Sequence, residues 1–265
     1  MRPCRQLLPP PGGLVPALVL ALILPALAPA GAVRAERVDH AQQYKACIAL
    51  TYRAPWEAYE AAQSWQAVGG GAAAQHCAAL ALLQAEQYER AATLLESLAA
   101  RLPPESRPSP ADLLAQAANV WLLAGSPEQA RQAIDLALLG EPDNPALLVD
   151  RARALAELKD YAGALADLDR ALALAPADGD AAAFRAAALR HLGRLEEALA
   201  AAEHAVRLAP GNPSARLERG LVRAALGDGA GARADWLRVA SEHAGTPAGD
   251  AAQAYLEQAA LRDGG

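Results

Sequence analysis

Three prolines, Pro142, Pro176 and Pro210, stand 34 residues apart, and each closes a stretch of one form. ALADLDRALALAP ends at Pro176, ALAAAEHAVRLAP at Pro210 and the looser AIDLALLGEP at Pro142. Self-similarity at a fixed interval is the mark of a repeat architecture, in which each unit buries its apolar face only against its neighbours. Composition says what the units are made of. The chain is 53% hydrophobic but only 4% aromatic, because alanine and leucine supply most of the apolar count. Those two residues lose little on entering a helix, while the β-branched and aromatic residues that favour strands are sparse. An all-α chain is expected.

In its small residues as well as its period, the repeat resembles the tetratricopeptide repeat family. Small side chains stand where paired helices must approach closely: Ala118, Ala152, Ala186 and Gly220 on the first helices, Ala130, Ala164, Ala198 and Ala232 on the second. Four residues further on come Ile134, Leu168 and Trp236, with Ala202 undersized at the same place. The resemblance implies a right-handed α-solenoid of antiparallel helix pairs. It divides the chain into five units over 72–246, namely 72–105, 111–144, 145–178, 179–212 and 213–246. A degenerate helix pair over 36–71 precedes them, and a capping helix and tail over 247–265 follow. The proline-rich segment PESRPSP after Pro103 lengthens one period and belongs in a surface loop.

Members of this family usually bind peptides on the inner face, which the first helices line. By repeat position the resemblance assigns that groove His76 and Leu80, then Asn119, Leu122 and Leu123. It continues with Arg153 and Glu157, Arg190 and His191, and ends with Leu217 and Leu221. The lysine and asparagine pair by which some members clamp a C-terminal carboxylate is not evident, since Ala115 stands one turn before Asn119. The expected partner is therefore an extended or helical protein segment held by apolar contacts and a few polar ones.

Arg151, Arg185 and Arg219 occupy one place in three successive units. As a functional set they would form an anion-binding ladder. Asp167 and Asp235 stand sixteen residues after Arg151 and Arg219, however, and favour structural ion pairs on the partner helix, with Asp167 also available to Arg185.

The stretch GGGAAAQHC, Gly69 to Cys77, combines a glycine triplet with two metal-binding residue types. No Lys-Ser or Lys-Thr follows, which removes a phosphate loop, and a metal would need His40 and Cys47 as well. The glycines read instead as the end of the helix carrying Trp65 and the entry to the first unit. Cys47 and Cys77 form an even pair once Cys4 is removed with a leader, and in an exported chain they point to a disulfide. The alternative is two buried thiols that never meet.

No motif for nucleophilic, zinc or phosphate-loop chemistry is present, and the histidines at 40, 76, 191, 204 and 243 are scattered. The expectation is a chain with no catalytic residues, metal or cofactor. A net charge of −6 with no basic block gives no footprint for nucleic acid.

The first 35 residues have the layout of a secretory signal peptide: Arg2 and Arg5, the apolar run LVPALVLALILPALAPAGA, and small-residue exits that place cleavage after Ala32 or Ala35. Cleavage after Ala35 removes three arginines and no acids, taking the net charge from −6 to −9. The rival is an uncleaved inner-membrane anchor, since the run is about long enough to span a bilayer. Pro25, Pro29 and the A-x-A exit favour cleavage and no membrane insertion afterwards. The expected protein is an exported, periplasmic scaffold or adaptor that binds a segment of another envelope protein. The alternative is a structural subunit of an envelope assembly or secretion complex.

Overall fold

The computed structural model describes residues 39–263, so the leader expected at 1–35 lies outside the described residues. Each 34-residue period becomes two helices joined by a tight turn. A first pair, α1 (His40–Thr51) and α2 (Pro55–Ala67), is followed by α3 (Gly71–Gln84) and α4 (Tyr88–Ala99). The regular pairs are α5 (Pro110–Leu123) with α6 (Pro127–Gly140), and α7 (Pro145–Glu157) with α8 (Tyr161–Leu174). Then come α9 (Gly179–His191) with α10 (Leu195–Leu208), α11 (Pro213–Ala225) with α12 (Gly229–Glu242), and a single last helix, α13 (Pro247–Asp263). There is no strand among the described residues, and the architecture is the all-α solenoid.

Local chemistry sets the helix starts at the same period. Asn144, Asp178 and Asn212 precede α7, α9 and α11, and each side chain accepts from backbone N–H groups of the first turn. Such caps satisfy donors that the helix itself leaves orphaned. Ser109 and Asp112 form a reciprocal capping box at α5. Between the helices of a pair one residue turns left-handed, and the place is held by Gly125, Lys159, Gly193 and Gly227 in successive units. Lys159, at φ 63, is the one of these four with a side chain.

Packing follows the small-residue columns. Ala118, Ala152 and Ala186 face Ala130, Ala164 and Ala198, and all six are at most 2% exposed. At the fifth unit the sizes trade: a Cβ on Gly220 would stand 2.3 Å from the ring nitrogen of Trp236. The helices can therefore meet there only because the large side chain of α12 is matched by none on α11.

The two ends are closed differently. At the start, Gly70 donates its N–H to the Trp65 carbonyl at 2.9 Å, and a Cβ on Gly70 would fall 2.8 Å from the Trp65 ring. The glycine triplet is thus a seam where α2 turns into α3. Cys47 of α1 and Cys77 of α3 are joined in a disulfide with a Cα–Cα distance of 6.2 Å, and both residues are buried. At the far end α13 covers Trp236 and Val239 of α12, with Trp236 and Tyr255 rings 5.4 Å apart. No helix among the described residues is long and apolar enough to cross a membrane.

Candidate protein-interaction groove

The first helices of successive pairs, α3, α5, α7, α9 and α11, line the inner face, and most of the side chains the repeat register assigns there are already engaged. His76 is 7% exposed, with Nδ1 at 2.7 Å from the Tyr44 hydroxyl and Nε2 at 2.9 Å from Oε1 of Gln116. It joins three helices as a buried link, and it also lines a cavity at the N-terminal end. Leu80 and Leu122 are half-buried, whereas Leu123 is 61% exposed. Asn119 donates to the Ala115 carbonyl at 3.1 Å and accepts from Arg153 at 2.6 Å.

Each groove arginine has its own carboxylate. Arg153 reaches Asp150 at 3.1 Å, and Arg190 donates to Glu218 at 2.6 Å, a carboxylate 8% exposed overall. Burial raises the Asp150 carboxyl above its ordinary range against the opposing pull of Arg153. Both guanidiniums are paired within the chain, and truncating Arg190 would strand a buried charge. Glu157 is exposed on the rim, and Leu217 and Leu221 pack towards the Trp236 cluster.

Two openings on this face are formed by the described residues. Between α7 and α9, over α8, lies a cavity of about 290 Å³ whose floor includes Ala152, Ala156, Leu168 and Ala187. Its wall holds His191 stacked on Tyr161, with ring centroids 4.3 Å apart and planes at 4°, together with Phe184. Burial and the neighbouring Arg190 lower the His191 pKa, which keeps the ring neutral at neutral pH. Arg153, Glu157 and Lys159 form its polar rim. The second cavity, of about 340 Å³, lies between α11 and α13 and is walled by Leu221, Trp236 and Tyr255. Of the larger side chains in these linings, Lys159, Tyr161, Leu168, Phe184, Trp236 and Tyr255 lie outside the set that the resemblance assigns to the groove. A third cavity, of about 450 Å³, sits at the N-terminal end, between α1, α3 and the segment 102–108.

The repeated arginines lie between helices. Arg151 donates to Asp167 at 2.6 and 2.7 Å and to Asp135 at 3.1 Å, and Arg219 donates to Asp235 at 2.5 and 2.9 Å. Arg185 bonds Asp169 at 2.6 Å; Asp167, the partner expected for it, is taken by Arg151. The acids of the preceding second helix carry a signal the spacing rule overlooked: Asp135, Asp169 and Glu203 recur at the repeat period. With carboxylates on them, these arginines offer no anion ladder. No cluster of three or more metal-ligating side chains occurs among the described residues. His40 accepts from the Trp65 indole at 2.9 Å, and the two cysteines are consumed by the disulfide.

A tetratricopeptide repeat family model matches residues 122–189. No curated protein matches the chain. Among solved structures, a tetratricopeptide repeat protein from Parabacteroides merdae is 19% identical, with a TM-score of 0.64 over 83% of this chain and 90% of that one. Residues 41 to the end of MamA from Desulfovibrio magneticus are also 19% identical, with a TM-score of 0.51 over 80% and 99% of the two chains. The first repeat domain of Spaghetti (RPAP3), bound to an HSP90 peptide, is 32% identical over 44% of this chain and 93% of its own, with a TM-score of 0.42.

Proposed function

We propose that this chain, which belongs to the tetratricopeptide repeat family, is an exported scaffold that holds an extended segment of another cell-envelope protein in its inner groove. The observation that carries the reading is the opening between α7 and α9: an apolar floor, an aromatic wall and a polar rim, on a face where Asn119, Arg153 and Arg190 are bonded internally. A face of that kind suits main-chain and side-chain contacts with a peptide and offers no group poised for bond-making. Function here is holding. Export is supported by the leader-like first 35 residues and by a disulfide, which persists in oxidising compartments.

A photo-crosslinking side chain placed at Phe184, in cells, tests the groove. One discrete adduct from this site, absent when the probe is moved to Leu139, is the expected result. Leu139 is 80% exposed on α6, and with Leu136 and Leu237, each 58% exposed, it favours the second reading of a subunit that associates through its outer surface. Adducts from Leu139 and none from Phe184 would decide for that subunit. N-terminal sequencing of the exported protein should begin at Val33 or Glu36; recovery of Met1 in membranes would decide for an anchor.

A further inference from the structure

The two inner-face cavities are the same place in the repeat, two periods apart. Ala156, Ala164 and Leu168 line the first; Ala224, Ala232 and Trp236, their counterparts two units on, line the second. The correspondence runs into the last helix, where Tyr255 and Ala259 of α13 replace Ala187 and His191 of α9. Two columns of side chains along the groove set the steps at which openings fall. One column runs Leu122, Ala156, Arg190, Ala224, and the one facing it runs Arg153, Ala187, Leu221. Between α5 and α7, Leu122 packs on the core and Arg153 bridges to Asn119. Between α9 and α11, Arg190 bridges to Glu218. The alanines at 156 and 224 leave the alternate steps open.

We infer that the groove reads its partner through two sockets, each taking one bulky apolar side chain of an extended segment, with the two anchors about six residues apart. The spacing follows from packing: the sockets are two inner-helix steps apart, each roughly 10 Å, and an extended chain rises about 3.3 Å per residue. The chemistry follows from charge. Arg153 and Arg190 are matched by Asp150 and Glu218, and the first rim carries Glu157 beside Lys159, so an acidic tail finds no unmatched guanidinium on those helices. What the walls do offer is ring surface: Tyr161 with His191 and Phe184 in one socket, Trp236 with Tyr255 in the other. Two ring-walled cavities at one register suit two aromatic or large aliphatic anchors.

This inference rests on the groove reading, and its test separates the two. The probes are end-capped twelve-residue peptides of serine, threonine and glutamine carrying two phenylalanines six apart, two phenylalanines three apart, a single phenylalanine, or none. Their affinities for the purified protein are read by fluorescence polarisation. The six-spaced peptide is expected to bind at least about tenfold more tightly than the single-anchor and three-spaced peptides. Ala156→Leu and Ala224→Leu plug one socket each with the side chain that Leu122 already supplies in this column, and each should reduce the six-spaced peptide to single-anchor affinity. Affinity independent of spacing, or unmoved by both plugs, overturns the sockets while leaving the groove to the crosslinking result. Failure of every peptide to bind also overturns the sockets, and the spacing series on the unaltered protein decides even if a plug disturbs folding.

Discussion

Asp235 is 4% exposed and accepts from Arg219 and Arg223 together, so one carboxylate compensates two partly buried guanidiniums. Asp235→Ala should cost roughly 2 to 4 kcal/mol, because it removes the carboxylate hydrogen-bonded to Arg219 and leaves Arg223 only Asp228 at 3.9 Å, in a poorly solvated place. Urea unfolding measures this, and a loss no larger than that of Glu128→Ala on the exposed surface would refute the assignment. Asp150 behaves oppositely. Its folded-state carboxyl holds its proton more tightly than the free side chain, so ionisation costs stability above the carboxylate range and the penalty is relieved as pH falls through the folded-state value. The stability of the native protein relative to Asp150→Asn should therefore decline as pH rises from about 4 to 7; a constant difference between urea midpoints would show no such linkage. A spacing of sixteen connects Arg151 to Asp167 within a unit, because both stand in one helix pair. The bond from Arg190 to Glu218 spans 28 residues and depends on how consecutive first helices stack, which no spacing rule within a unit supplies.

The trade between Gly220 and Trp236 belongs to the scale of helix pairs. Ala152 meets Leu168 at the same crossing two units earlier, so the fifth unit has moved volume from one helix to the other. Gly220→Ala should cost about 1 to 3 kcal/mol by overpacking. In a Trp236→Leu background the same change should cost nothing, since it recreates the Ala152 and Leu168 pair; equal costs in both backgrounds would show that the ring and the glycine are not coupled. The helices of the repeats were legible because their contacts recur as columns of small residues. α1 and α2 lack those columns, and α1 is tied to α3 by the disulfide across a 30-residue separation. Closing a loop of that length contributes about 3 to 4 kcal/mol in the chain-entropy model. Reduction should accordingly lower the melting temperature and speed amide exchange in α1 before α9, whereas uniform exchange would place the constraint elsewhere. The sockets were hidden for a different reason. They are made of side chains that are missing, and an alanine in a helix that already abounds in alanine carries no mark until the facing column is read beside it.

Stability and recognition meet at the end of the solenoid. A stack of repeats is held by nearest-neighbour interfaces, so its last unit depends on whatever covers it. Here α13 supplies the cover, burying Trp236 and Val239 and contributing Tyr255 to one wall of the second cavity. Ending the chain at Thr246 should uncover these two side chains and lower the unfolding free energy by about 3 to 5 kcal/mol, with a smaller urea m-value because less surface remains to be exposed. The cavity between α7 and α9 is three helices away from α13 in the chain and shares no lining residue with that helix. A truncated protein kept well below its melting temperature should therefore still crosslink through Phe184, but bind the six-spaced peptide only as tightly as the single-anchor one. If truncation abolishes both, the repeats fold as one all-or-none unit in which the ends cannot be separated from the groove. If it changes neither, α13 is no part of the binding face. The predicted split, stability lost in part and one anchor lost completely, is what nearest-neighbour coupling requires of a solenoid whose final helix serves at once as cap and as half of a socket.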